Sequence, residues 1–262
     1  MKHSKVKFEV SRPQDLEAAF SRVELLVTLA TLALLVTIQL PALAHHKGNS
    51  HRAVCADNLH RLALSWLMYA DDHHGILVPN GDRFPATANW VAGVLDFNPA
   101  NSDNTNLATI TEAELYPYNK AVEIYRCPDD LSAVRGQLRI RSYSMNGNVG
   151  DGGLGWSQGF QIMTDRSQVR QPDQTFVFVE QHPEDIHAWI FFVDMSPGSA
   201  ASIVDVPAAY HYYGANLGFA DGSVQYRRWL DPRTSPTQLI STTRSPNNPD
   251  VAWLQSVTTY RQ

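Results

Sequence analysis

Between Leu25 and Leu40 the chain reads LLVTLATLALLVTIQL, with Thr28, Thr31, Thr37 and Gln39 as its only polar side chains and no charge. A soluble domain has little use for such a stretch outside its core. With its flanks it approaches the roughly 20 apolar residues that cross a bilayer as a helix. Residues 1–19 before it are polar, with Lys2, Lys5, Lys7 and Arg12 set against Glu9, Asp15 and Glu17. Basic residues ahead of the run and none inside it place the N-terminus in the cytoplasm and the rest of the chain outside. Two routes follow from the residues alone. One is a plain transmembrane anchor. The other is a secretory signal peptide cut after Ala44, since Ala42-Leu43-Ala44 has the small-residue pattern of a cleavage site. The long, partly acidic leader and Glu24 at the mouth of the run fit the second route poorly; read alone, Glu24 is an interfacial charge.

The remainder is long enough for one domain. The whole chain has 262 residues, 44% hydrophobic and 18% charged, which supports a packed core and excludes global disorder. The net charge is -5, and there is no Lys/Arg-rich run, RNP block or zinc finger, so nucleic acid is excluded as the main partner. The two cysteines, Cys55 and Cys127, are too few for a disulfide scaffold and, counted alone, too few for a structural zinc site. They read as one staple in an oxidising compartment or as two buried thiols in the cytosol.

After Ala44 the apolar spacing changes. Cys55, Leu59, Leu62, Trp66 and Tyr69 recur at intervals of four and three, one face of an amphipathic helix over about 50–72. Gly75 stops it and Pro79 follows. Gly48-Asn49 is expected to loosen or break the helix between its apolar and amphipathic halves. From about residue 80, Pro, Gly, Asn and Asp punctuate short apolar runs, as in an antiparallel sheet with long loops. The clearest strands are 175–180, 188–193, 216–220 and 223–229, with Asp221-Gly222 as a tight turn between the last two. Residues 231–262, opened by a stretch rich in Pro, Ser, Thr and Asn, are expected to form an irregular tail.

Five blocks of the chain carry a resemblance. The segment AFSRVELLVTLATLALLVTIQLPAL is similar to the bacterial prepilin cleavage and methylation signal, in which a polar leader is cut before a Phe and a glutamate stands fifth in the mature chain. Cleavage would fall between Ala19 and Phe20, Glu24 would be the fifth residue, and Pro41 would take the place of a helix-kinking proline. Ala19 stands where the family has glycine, Ser21 where it commonly has threonine and Arg22 where it has an apolar residue. The stretch CADNLHRLALSWLMYADDHHGILVP, the blocks EIYRCPDD and RSYSMNGNVG, and His211 followed nine residues later by Asp221-Gly222 resemble, in order, the large prepilin-like proteins with a C-terminal His-(any nine)-Asp-Gly motif.

The resemblance implies a pilin-like α+β fold. A long N-terminal helix, apolar then amphipathic, would pack on an antiparallel sheet head with long loops. It implies a leader 1–19, a transmembrane and filament-core helix 20–44 and a head 45–230. It further implies a prepilin peptidase and other pilin-like subunits as partners, and a single-pass place in the inner membrane. A carboxylate at bilayer depth, such as Glu24, is costly unless paired; in a filament it would meet the α-amino group of a neighbouring subunit. With the head outside the cytoplasm, a Cys55–Cys127 disulfide is the expected state of the two thiols.

Other chemistry was weighed against structural roles. Glu180, His182, Asp185 and His187 lie on one turn between strands and offer a transition metal two or three ligands, with His211 as a further one, but no zincin spacing is present. His211 with Asp221 invites a catalytic reading, yet no nucleophile motif accompanies them. His211 is expected to bond a neighbouring loop, and Asp221 to cap its turn. Asp96–Asn106 and Asp129-Asp130 offer oxygen ligands for calcium without EF-hand spacing. No cofactor, catalytic residue or small-molecule substrate is therefore expected. The alternatives to an assembly protein are an exported module binding glycan or peptide through Trp90, Trp156 and Trp189, and an extracytoplasmic metal-dependent hydrolase.

Overall fold

A computed structural model describes residues 21–81, 88–152, 159–236 and 243–262, with side chains left out over 36–49. Ala19, Phe20 and Trp156 lie outside the described residues, as does the side chain of Pro41. The chain divides into two compact units, Met1–His46 and Lys47–Gln262.

Helix α1 is assigned over Arg22–Asp72. Its start is a capping box. Ser21 Oγ accepts from Glu24 N at 3.2 Å, and Ser21 N donates to Glu24 Oε2 at 2.9 Å, satisfying two otherwise orphaned groups of the first turn. Among the described residues no helix is long and apolar enough to cross a membrane, and the run Leu25–Leu40 falls only partly within them. The expected break at Gly48-Asn49 is not found: the helix assignment passes through both. A glycine inside a helix costs about 1 kcal/mol, too little to end a helix flanked by sound helix formers.

In the second unit the face of α1 carrying Cys55, Leu59, Leu62 and Trp66 is fully buried, and Tyr69 is nearly so. It packs on a five-stranded sheet, ordered β5-β3-β4-β7-β8. The strands are β3 (Tyr143–Asn146), β4 (Phe176–Glu180), β5 (Ile190–Phe191), β7 (Gly214–Phe219) and β8 (Val224–Arg228). Two small ladders stand apart, β1 (Ala133–Val134) with β2 (Gln137–Leu138), and β6 (Ser202–Ile203) with β9 (Thr243–Arg244). The sheet is mixed rather than purely antiparallel, because β5 runs parallel to β3. Only Ile190 and Phe191 of the expected strand 188–193 pair.

Every residue of β4 is buried, as expected of a central strand covered on both faces. An irregularity between Phe176 and Phe178 re-aims the chain, so that Phe178 joins the core under α1 while Phe176 and Val179 join a second core on the opposite face. Two single-turn helices, α2 (Ala108–Thr111) and α3 (Tyr116–Asn119), follow α1, and the second core, with Phe191, Leu217, Phe219 and Trp229, is closed by Leu254 and Val257 of helix α4 (Pro249–Thr258). The tail is therefore not irregular. A fully buried central strand requires cover on its far side, and α4 supplies it. Asn248 caps α4 by accepting from Asp250 N at 2.8 Å and Val251 N at 3.3 Å, and Pro249 occupies the first turn, where its missing N–H costs nothing.

Where α1 crosses the sheet, β7 carries Gly218. A Cβ there would lie 3.3 Å from the Leu59 carbonyl oxygen, so glycine permits the close approach. The β7–β8 turn is built on Gly222 at φ +89, with Asp221 Oδ1 accepting from Ser223 N at 2.8 Å.

Candidate functional site

Four segments distant in sequence meet at one end of the sheet. Cys55 comes from the buried face of α1. Cys127 follows a short 3-10 turn, Val122–Tyr125. Glu180 ends β4, and His211 stands in the loop before β7. The Sγ atoms, a Glu180 oxygen and a ring nitrogen of His211 lie within 4.8 Å of one another, and all four residues are buried. His211 Nε2 is 3.1 Å from Glu180 Oε1 and 3.4 Å from Cys127 Sγ. Cys55 Sγ hydrogen-bonds Glu180 Oε1 and meets the Tyr143 hydroxyl at 2.9 Å. Both cysteines are free in this structure, so the sequence-expected partners stand together without the bond between them.

The surroundings hold these groups in place. Asn216 N donates to Glu180 Oε2 at 3.0 Å, and Asn216 Nδ2 to Oε1 at 3.1 Å. Tyr226 OH donates to the His211 carbonyl at 2.7 Å. Ser142 Oγ accepts from Cys127 N at 3.1 Å and donates to the buried Asp130 at 2.6 Å. Behind the imidazole, His211 Nδ1 is 3.0 Å from Asp129 Oδ2. That is ion-pair distance, although the N–H is not aligned for a hydrogen bond. Asp129 in turn meets His51 Nδ1 on α1.

Charge within the cluster is shared unevenly. Burial pushes the Cys55 thiol well up, and the neighbouring Cys127 and Glu180 push it further. Burial also acts upward on Cys127, but hydrogen bonds from Cys55 and His211 outweigh it and the thiol is lowered. Burial works against a charged His211, yet its bonds to Cys127 and Glu180 raise it to about 10. The pocket thus favours a neutral Cys55 and an imidazolium at His211, and makes Cys127 the more readily ionised of the two thiols.

The other sequence candidates disperse. Of the turn after β4, only Glu180 enters the cluster. His182 is half-buried and accepts from Glu184 N at 3.2 Å. Asp185 accepts from Gln181 Nε2 and Val206 N, both at 2.7 Å, and His187 is exposed. Asp221 is exposed on its turn while His211 is buried, and among the described residues no hydrogen bond or ion pair joins them. In the loop 96–106, Asp96 and Asp103 accept from the loop's own amides and from Val94 N. Asp130 is committed to Ser132 and Ser142. Trp90 is fully buried and Trp189 packs against the same core.

Sequence reasoning sets Glu180 and His211 among possible metal ligands but leaves out Cys55 and Cys127, because it counts the cysteines without the other donors. Two thiols are too few for a closed metal site only if no histidine or carboxylate joins them. The available signal was that Cys55, Cys127 and His211 each stand inside one of the ordered blocks. Glu180 had no such marker; it is a strand-end residue whose burial follows from the position of β4. No family model, curated protein or solved structure matches the chain.

Proposed function

We propose that this chain is a non-enzymatic pilin- or pseudopilin-like envelope protein. It is anchored in the bacterial inner membrane by its N-terminal helix, with the head in the periplasm or at the cell surface. It assembles through that helix with other pilin-like subunits in a type II secretion or type IV pilus-like system. The observation that carries the reading is the surface of α1. All the large apolar residues between Val23 and Leu35 are more than half exposed, from 54% at Leu25 to 68% at Val23. Moving such a face out of water is worth on the order of 10 kcal/mol at about 1.5–3 kcal/mol per side chain. That is comparable to the whole stability of a domain, so lipid or neighbouring helices are its natural surroundings. The ordered prepilin-like blocks supply the direction of the reading.

A catalytic reading gains no support from the Cys-Cys-Glu-His cluster. Its four side chains are closed off from solvent, whereas a catalytic centre keeps a position open to substrate. The mature N-terminus of protein taken from native envelopes tests the proposal by mass spectrometry. N-methyl-phenylalanine at Phe20, with residues 1–19 gone, is the expected result. A start at His45 would overturn anchoring and assembly together. An intact Met1 would leave an anchor and remove the assembly role.

A further inference from the structure

We infer that Cys55, Cys127, Glu180 and His211 form a closed, four-coordinate structural site for a zinc ion, with Asp129 as the group that positions the His211 ring. The inference concerns the inside of the head and holds whether or not the leader is removed.

The donor set argues for it. A four-coordinate zinc with bonds of about 2.3 Å to sulfur and about 2.0–2.1 Å to nitrogen or oxygen sets neighbouring donors roughly 3.3–3.8 Å apart. His211 Nε2 lies 3.4 Å from Cys127 Sγ and 3.1 Å from Glu180 Oε1, so the pocket is already near that scale. Two sulfurs, one imidazole nitrogen and one carboxylate oxygen are borderline-soft donors suited to zinc, and unsuited to calcium or magnesium, which take oxygen.

The hydrogen bonds around the cluster orient its inward atoms; Glu180 Oε1 accepts from Asn216 Nδ2 at 3.1 Å and keeps a second lone pair for such an ion. Glu180 Oε2 is held from behind by Asn216 N at 3.0 Å, with Oε1 turned to the cluster. His211 presents Nε2 inward while Nδ1 faces Asp129 at 3.0 Å, within reach of the carboxylate-behind-imidazole hydrogen bond that a small ring rotation would make and that fixes tautomer and orientation of a ligating ring. Protein contacts alone account for the cluster less well. Thiols are weak hydrogen-bonding groups, and two of them share a pocket with a carboxylate in which no side chain is exposed by more than 1%. A divalent ion gives all four donors one shared partner. Its binding releases the protons held by Cys55 and His211, because ligands bind deprotonated.

The test uses the full chain, purified in detergent without added chelator. Metal content by mass spectrometry is read beside a thiol count taken after denaturation with a chelator present. One zinc per chain with two thiols is the expected result. Either no zinc with no thiols, which means a Cys55–Cys127 disulfide, or no zinc with two thiols, which means a plain buried cluster, overturns the inference. Replacement by cobalt(II) is expected to give intense tetrahedral ligand-field bands and near-ultraviolet thiolate-to-cobalt absorption; weak octahedral bands would overturn it. Asp129 is partly exposed, so Asp129→Asn is expected to fold, keep the cobalt spectrum and bind zinc about 10–100-fold more weakly. An affinity equal to that of the unaltered protein would overturn the role given to Asp129.

Discussion

Asp205 shows how much a single half-buried carboxyl can set. Burial pushes it up to about 8, the neighbouring Asp185 pushes the same way, and only the Phe192 N–H, at 2.6 Å, acts against them. Its folded pKa lies above the unfolded value of about 3.9, so the native state holds the proton more tightly. Its contribution to stability is therefore full below about pH 4 and is lost as pH rises through about 8. Asp205→Asn keeps an oxygen for Phe192 N and removes the charge. Denaturant melts at pH 5 and pH 8.5 are expected to differ less in the variant than in the parent, with the variant more stable at the higher pH. Equal slopes would show that Asp205 does not titrate in this range. Nothing in the sequence marks Asp205, because its burial comes from strands that pair only in the finished fold. Asp221 was legible, since an Asp-Gly turn acts through its own backbone.

At the scale of elements, the amphipathic part of α1 was readable from its spacing and α4 was not, although both are apolar on the buried side. The difference lies in what surrounds them. The Pro-, Ser- and Asn-rich approach to α4 reads as loop, while the actual start signal, Asn248-Pro249-Asp250, is a compact cap with an acid in the first turn. Asn248→Ala is expected to cost about 1–2 kcal/mol, and more if the Asn248 Nδ2 bonds to Thr234 and Ser245 are also missed. Leu254→Ala, which opens the second core, should cost about 2–5 kcal/mol; a loss below about 0.5 kcal/mol would mean that α4 does not close that face. On the other side of the sheet, Gly218→Val is expected to cost about 1–3 kcal/mol by forcing α1 away from β7. Of the expected strands, 175–180, 216–220 and 223–229 match β4, β7 and β8 to within two residues, while β3, although fully buried, is not among those expected. The fourth, 188–193, overran at Ile190–Phe191, where the run AWIFFV continues but only two residues find a partner.

The whole molecule separates two kinds of apolar surface. In the unit Lys47–Gln262 the apolar side chains gather into cores. The described part of Met1–His46 leaves them open to the surroundings. A fragment of residues 47–262 is accordingly expected to remain monomeric in size-exclusion chromatography without detergent, while the full chain requires it; aggregation of the fragment would place part of its core in the missing residues. The mixed α+β class was legible because helical and strand periodicities occupy different stretches. The meeting of the cluster's four segments was not, since no local pattern reports which loop ends lie together.

That meeting also sets a timetable. Cys127 precedes His211 by 84 residues, and Cys55 precedes Glu180 by 125. Contacts of such long range form slowly, because their loops must close before they stabilise anything. If the chain is exported N-terminus first, as the proposed function requires, both thiols are exposed well before the carboxylate and the imidazole stand beside them. In such a compartment a race during biogenesis, between its oxidants and the arrival of the last third of the chain, decides whether the sulfurs end as an oxidised pair or as the zinc-binding thiols inferred above.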